Sequence, residues 1–292
     1  MWWPRILSRK KERLDRLLVS RGLVASRVQA QAFILEGRVR VEDTVVSKAG
    51  EAVAPEAMIS VSFPQKTWVS RGAHKLLKAL DAFSADPDGC LCADIGASTG
   101  GFTEVLLARG ARRVYAIDVG YGQLAWSLRN DPRVVVMERT NARSITRESF
   151  EGPLDFVTID VSFISLRIIL PVVECLLSDN GTVIALVKPQ FEAGRESIGK
   201  GGVVRDPTVH RRVLDLLSDF LRERTSMTLA GCTFSPIRGP SGNIEFLFHI
   251  VRSEIPSSGE PAFGSIVEEA HRILSSSVDE EAHTRADSGN SR

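Results

Sequence analysis

The chain of 292 residues is 43% hydrophobic and 25% charged, an ordinary balance for a globular protein of one or two domains. Its 37 Lys and Arg against 36 Asp and Glu argue against any strong whole-chain attraction to polyanions. The longest apolar region, residues 168–177, is broken by Pro171 and Glu174, and the apolar stretch at the start is too short for a signal peptide. The expectation is a soluble, cytoplasmic protein with no membrane role. Cys90, Cys92, Cys175 and Cys232 show neither a paired framework nor zinc spacing, so reduced thiols and no metal are expected.

In chain order, residues 13–61 read as a small α/β unit. Leu14, Leu17 and Leu18 recur at helical spacing, with Gly22 placed to end that helix. "SRVQ" at residues 26–29 has the form of a capping box and opens a second helix that Gly37 closes. Short strands follow at residues 39–41, 45–46 and 58–61. Residues 1–75 hold 14 Lys and Arg against 7 acids, whereas residues 253–292 hold 3 against 8. Arg13, Arg16, Arg21, Arg27, Arg38 and Lys48 sit on or between these elements, a pattern suited to tracking a phosphate backbone. Charge alone fits a solvated surface equally well.

"FPQKTWVSRGAHKL" at residues 63–76 forms a junction, after which apolar strands alternate with helical stretches. Strands are expected at 90–95, 113–118, 133–138, 154–160 and 181–187, with a further one at 243–250. Such alternation builds a mostly parallel sheet with helices on both faces. From Ser253 onward Ser, Glu, Gly and Pro predict a mobile linker, within which "SIVEEAHRIL" has the spacing of one short helix.

Between the first strand and the next helix lies "DIGASTGG", residues 94–101. A Walker loop needs Lys and Ser/Thr after its glycine, and Phe102 follows here; a dinucleotide fingerprint needs a middle glycine, and position 98 is Ser. Asp94 at the strand end repels a pyrophosphate but attracts an ammonium or sulfonium. Asp118 ends the next strand and is placed to accept hydrogen bonds from ribose hydroxyls. S-adenosylmethionine carries both groups. The expected cofactor set is Asp94, Gly96, Ala97, Ser98, Gly100, Gly101, Phe102, Asp118, Val119, Asn141 and Asp160. Taken alone, the glycines also fit a purely structural turn, and Asn141 also fits a turn cap.

Four further polar residues stand out against apolar surroundings. Asp160 in "VTIDVSF" and Lys188 in "ALVKPQF" end apolar strands, Glu245 in "GNIEFLF" lies in the last one, and Lys75 in "SRGAHKL" precedes the first. Single charges of this kind are usually solvated, but two lysines and two acids facing one crevice need one another. The set suits a poorly acidic hydroxyl such as a ribose 2′-OH. A lysine that is desolvated beside another cation can take the hydroxyl proton, and Lys188 is assigned that part. Asp160 then orients Lys188, while Lys75 and Glu245 position the ribose.

These residues and motifs carry a resemblance. "SRGAHKL", "DIGASTGGFTEVLLARG", "DVGYGQLAWSLRNDPRV", "RTNAR", "DVSFISL", "LVKPQFE", "GGVVRDP" and "GPSGNIEF" resemble the signatures of the TlyA proteins, historically called haemolysins. The resemblance runs from Arg13 to about His271 and implies an rRNA 2′-O-ribose methyltransferase, with cytidine as target. It implies a head like the RNA-binding module of ribosomal protein S-four and a body like the FtsJ branch of the Rossmann-like methyltransferases, its last strand antiparallel. It also carries a Lys-Asp-Lys-Glu tetrad onto Lys75, Asp160, Lys188 and Glu245. At the junction Lys66-Thr67-Trp68-Val69 stands where the family has Arg-x-Trp-Val. The implied division is an RNA-binding domain over 1–62, a linker over 63–72, a methyltransferase domain over 73–252 and an acidic tail over 253–292. The implied partners are ribosomal RNA or ribosomal subunits. A pore-forming toxin finds no spanning segment here. A non-catalytic ribosome-assembly factor would have no use for the tetrad.

Overall fold

The computed structural model describes residues 11–63, 67–252 and 261–288, and the chain divides between Thr67 and Trp68 into two compact units. Lys66 of the junction and residues 253–260 of the expected linker lie outside the described residues.

The first unit contains β1 (Glu12–Arg13), α1 (Leu14–Ser20), α2 (Arg27–Leu35), β2 (Val39–Val41), β3 (Thr44–Val45), β4 (Ala52–Val53) and β5 (Ile59–Val61). Leu14, Leu18, Ile34 and Val39 are fully buried and join the two helices to a three-stranded antiparallel sheet, β3-β2-β5. The second helix starts as its sequence dictates. Ser26 Oγ accepts from Gln29 N at 3.2 Å, and Gln29 Oε1 accepts from Ala25 N at 2.9 Å. Glu42 and Asp43 both take left-handed backbone, as a two-residue hairpin turn between β2 and β3 requires. The two-residue strands β1 and β4 pair only with each other and carry no periodic signal, so no pattern in the sequence announces them.

The second unit runs α3 (Gly72–Phe83), β6 (Leu91–Ile95), α4 (Gly101–Ala108), β7 (Arg113–Ile117), α5 (Trp126–Arg129), β8 (Val134–Met137) and β9 (Leu154–Ile159). It continues with α6 (Leu166–Leu176), β10 (Leu177–Val187), α7 (Pro189–Glu192), α8 (Pro207–Arg224), β11 (Thr228–Phe234), β12 (Phe246–Val251) and α9 (Phe263–Ser288). Seven strands form one sheet in the order β11-β12-β10-β9-β6-β7-β8, and β12 runs antiparallel between β10 and β11. This is the mostly parallel sheet that the strand-helix alternation implied, and the Rossmann-like form with its last strand antiparallel that the resemblance implied. Each face of the sheet carries a core. Leu76, Leu80, Val105 and Leu106 of α3 and α4 cover one side; Leu170, Val173, Leu214 and Val267 of α6, α8 and α9 cover the other. β6 sits in the middle and is buried on both sides, which is why "LCADI" reads as a continuous apolar run interrupted by one acid.

Three elements differ from expectation. Lys75 lies one turn inside α3 rather than in a lead-in to the first strand. Nothing in the sequence announces β11, because an edge strand with Gly231 at a register shift shows little apolar alternation. The tail helix is 26 residues long instead of one short segment. Phe263, Val267, Ala270 and Leu274 recur at helical spacing and pack onto the core, while the intervening Ser and Glu mask that stripe in composition.

Candidate active site

The carboxyl ends of the central strands converge on one crevice. After β6 the chain turns sharply, and Asp160 N beyond β9 donates to Ile95 O at 2.9 Å. The two strand ends approach so closely that a Cβ at Gly96 would collide with the Asp160 carbonyl oxygen, so only glycine fits there. Ser98 takes a left-handed φ of +49° where the dinucleotide fingerprint has glycine. That conformation turns Ser98 N toward the next strand, where it donates to Asp118 Oδ2 at 2.8 Å. Gly120 N donates to the other oxygen at 2.7 Å, so Asp118 is fixed by two backbone donors.

Asp118 lines a cavity of about 380 Å³ together with Gly96, Ser98, Val119, Asn141 and Asp160. Its apolar wall comes from Ile95, Ile117, Ile164 and Ile169. A second, smaller cavity of about 190 Å³ shares Gly96, Ser98 and Asp160 and adds Lys75, Ala97, Gly101 and Phe102. Asn141 does both things its position allows. It faces the larger cavity, and its Oδ1 accepts from Arg143 N at 3.0 Å.

Asp94 is a correction. The sequence sets its carboxylate against a cation in the crevice, but the side chain is fully buried beneath the loop and lines neither cavity. Oδ2 accepts from Thr103 Oγ1 at 2.7 Å and Oδ1 from Thr158 Oγ1 at 2.9 Å, which ties α4 and β9 to β6. Burial pushes its carboxyl up to about 6, opposed by those two hydrogen bonds.

The four charged residues form two pairs. Lys75 Nζ donates to Glu245 Oε2 at 2.6 Å, with Lys75 7% and Glu245 1% exposed. Lys188 Nζ lies 2.5 Å from Asp160 Oδ1 and donates to Ser162 Oγ at 3.0 Å. Glu245 precedes β12 rather than lying within it, and its carboxyl is raised by burial, against the pull of Lys75. The ions Asp160 and Lys188 also act on it electrostatically, so the two pairs share one field.

Several residues at the crevice escaped the sequence reading. Ser70 and Gly72 line the smaller cavity, and Gln123, Thr140, Ser162 and Phe163 the larger. Phe163 is 91% exposed, adopts a left-handed φ of +64°, and meets the Phe191 ring at 5.1 Å. A bulky residue held in that conformation is strained, and such strain concentrates at functional sites. The available signal was the apolar residue in "DVSF" falling where a loop, not a strand, was due.

In the first unit the six basic candidates separate. Arg13 and Arg27 donate to the buried Asp15 carboxylate, at 3.0 and 2.9 Å, and hold it well below the usual carboxylate range. Arg21 donates to the carbonyls of Ala57 and Pro55, a structural tie. Arg38 is paired with Glu36. Arg16 and Lys48 are exposed.

Residues 68–252 match the family model for FtsJ-like methyltransferases, and residues 12–59 match that of the S4 domain. The 16S/23S rRNA (cytidine-2′-O)-methyltransferase TlyA of Mycobacterium tuberculosis is 50% identical over 238 residues, covering 81% of this chain and 88% of that protein. Hemolysin A of Brachyspira hyodysenteriae is 40% identical, over 82% of this chain and 99% of its own length. The solved structure of a Streptococcus thermophilus protein that bears the hemolysin name superposes with a TM-score of 0.69 at 41% identity. It covers 92% of this chain and 99% of that one. Among the described residues no helix is long and apolar enough to cross a membrane.

Proposed function

Because the chain belongs to the TlyA branch of the FtsJ-like methyltransferases, we propose that it methylates a ribose 2′-hydroxyl of ribosomal RNA from S-adenosylmethionine. The observation that carries this reading is the meeting of the Lys75–Glu245 and Asp160–Lys188 pairs beside the loop after β6. Cytidine is the target of the relatives' named activity, and the same base is proposed here.

The larger cavity fits the cofactor. Asp118 offers carboxylate oxygens to ribose hydroxyls, Asn141 a polar edge to the adenine, and Ile117 and Ile164 an apolar wall. Asp160 lies at the border with the smaller cavity, where its charge favours a cation. When bound, S-adenosylmethionine supplies a methyl group on a sulfonium leaving group. Lys75 lines the smaller cavity and holds the acceptor ribose, the buried Glu245 fixes its ammonium from behind, and alignment supplies much of the rate in a direct displacement. Lys188 Nζ, as the neutral amine, would accept the proton that the acceptor 2′-hydroxyl gives up in the transfer. Asp160 and Ser162 fix where that nitrogen sits. Phe163 presents an open ring face at the mouth, on which a nucleobase can stack.

The test is to incubate the protein with radiolabelled cofactor and ribosomal subunits from cells lacking its gene, then to map the ribose modification. One or a few 2′-O-methylated cytidines are expected. Label found on bases, on protein or nowhere would overturn the proposal.

A further inference from the structure

The segment between α7 and α8 contains "GKGGVVRD", residues 199–206, which the reaction as described does not use. Its stem is firmly held. Arg212 Nη2 donates to Ala193 O at 3.4 Å and to Ser197 Oγ at 2.8 Å. Gly199 N donates to Val203 O at 3.1 Å, closing a short hairpin. Asn243, 1% exposed, then clamps the base of that hairpin: Oδ1 accepts from Val204 N at 2.9 Å and Nδ2 donates to Gly202 O at 3.0 Å.

The clamp ties the hairpin to the reaction centre. Asn243 stands two positions before Glu245, and its carbonyl accepts from Gly239 N at 2.9 Å. Gly239 in turn lies so close to Glu245 that a Cβ there would collide with Oε1. On the other side, α7 begins directly after Lys188, and Glu192 in it accepts from Ser165 Oγ at 2.6 Å in the loop that follows Asp160. The tip is different. Lys200 is exposed, and a Cβ at Gly201 or Gly202 would point into open space. Arg195 and Arg205 flank it, also exposed, while Glu196 folds back onto Gly194, away from the tip.

A rigid stem anchored beside the tetrad, with an ammonium at an exposed glycine tip, is built to meet an anion rather than to pack. We propose that residues 199–203 form a finger that grips a phosphate of the RNA strand entering the crevice, with Lys200 as the contacting cation. The inference rests on the RNA-methyltransferase reading and deepens it: the body, and not just the first unit, holds the RNA backbone. An ammonium on phosphate is sequence-independent, releases counterions and steers register.

The test compares the full chain with Lys200→Ala, Lys200→Glu and Lys200→Arg, using fluorescence anisotropy on a single-stranded oligoribonucleotide over a range of salt. Removing one phosphate contact lowers the slope of log affinity against log salt by about one, uniformly across sequences. Lys200→Ala is expected to bind about fivefold to tenfold more weakly at low salt, Lys200→Glu more weakly still, and Lys200→Arg nearly as well as wild type. Cofactor affinity by calorimetry and thermal midpoint should not move. In single-turnover methylation the loss should appear in the RNA concentration needed and not in the rate at saturation. Wild-type affinity and slope in Lys200→Glu sink the finger while leaving the methyltransferase reading intact. A wild-type chain that neither binds nor methylates RNA overturns both.

Discussion

Lys188 meets a carboxylate and a hydroxyl at its tip, and these contacts admit two roles that one substitution separates. As the base, it must cycle between ammonium and amine. As a fixed charge, it need only stay positive and lean on Asp160. Lys188→Arg keeps the charge, and a guanidinium cannot be deprotonated in the working range. For a base, this variant should lose nearly all single-turnover methyl transfer at saturating cofactor and RNA. Near wild-type rates from the arginine protein would eliminate the base and leave the fixed charge. Binding of cofactor should change little in either case, because Asp118 and Asn141 line the larger cavity and Lys188 does not.

At the scale of elements, β6, α4 and β9 are fastened by Asp94 through Thr103 and Thr158. The carboxyl titrates near 6 when folded and near 4 when unfolded, because burial disfavours its charge. The folded state therefore holds the proton more tightly, and this group's contribution is full below about pH 4 and lost as pH rises through about 6. Asp94→Asn removes the titration, so its stability relative to wild type should rise between pH 4 and 7, by on the order of 3 kcal/mol. Denaturant unfolding of both proteins across that range checks it, and a pH-independent difference would contradict it. Asp94 also shows where sequence reading stops. The β6 acid, its loop and the two glycines at its end were legible because apolar runs and turn residues are local signals. Which face of the strand the acid points to depends on Thr158, a neighbour across the sheet, and no local signal encodes that. The same limit hid β11, whose partner β12 follows eleven residues after it ends, and let Ser and Glu disguise α9. Lys75 was found by its company, but its helix was missed, because "SRGAHKL" opens α3 with no side-chain cap.

For the whole molecule, the first unit, which matches the S4 domain model, is proposed to hold RNA together with the body, and the head's arginines are not equivalent evidence for that. Neutralising Arg13 or Arg27 strips a partner from the buried Asp15, so weaker RNA binding there would report a disturbed fold as much as a lost contact. Arg21 is unsuitable for a related reason, since it fastens the carbonyls of Pro55 and Ala57 to α1. Arg16 and Lys48 are exposed and make no such tie among the described residues. The double substitution Arg16→Gln, Lys48→Gln should leave the thermal midpoint and the cofactor affinity in place. It should lower the slope of log RNA affinity against log salt by about one for each residue that touches a phosphate. A slope that keeps its wild-type value at both positions would mean that the surface of the first unit carrying Arg16 and Lys48 does not meet the RNA.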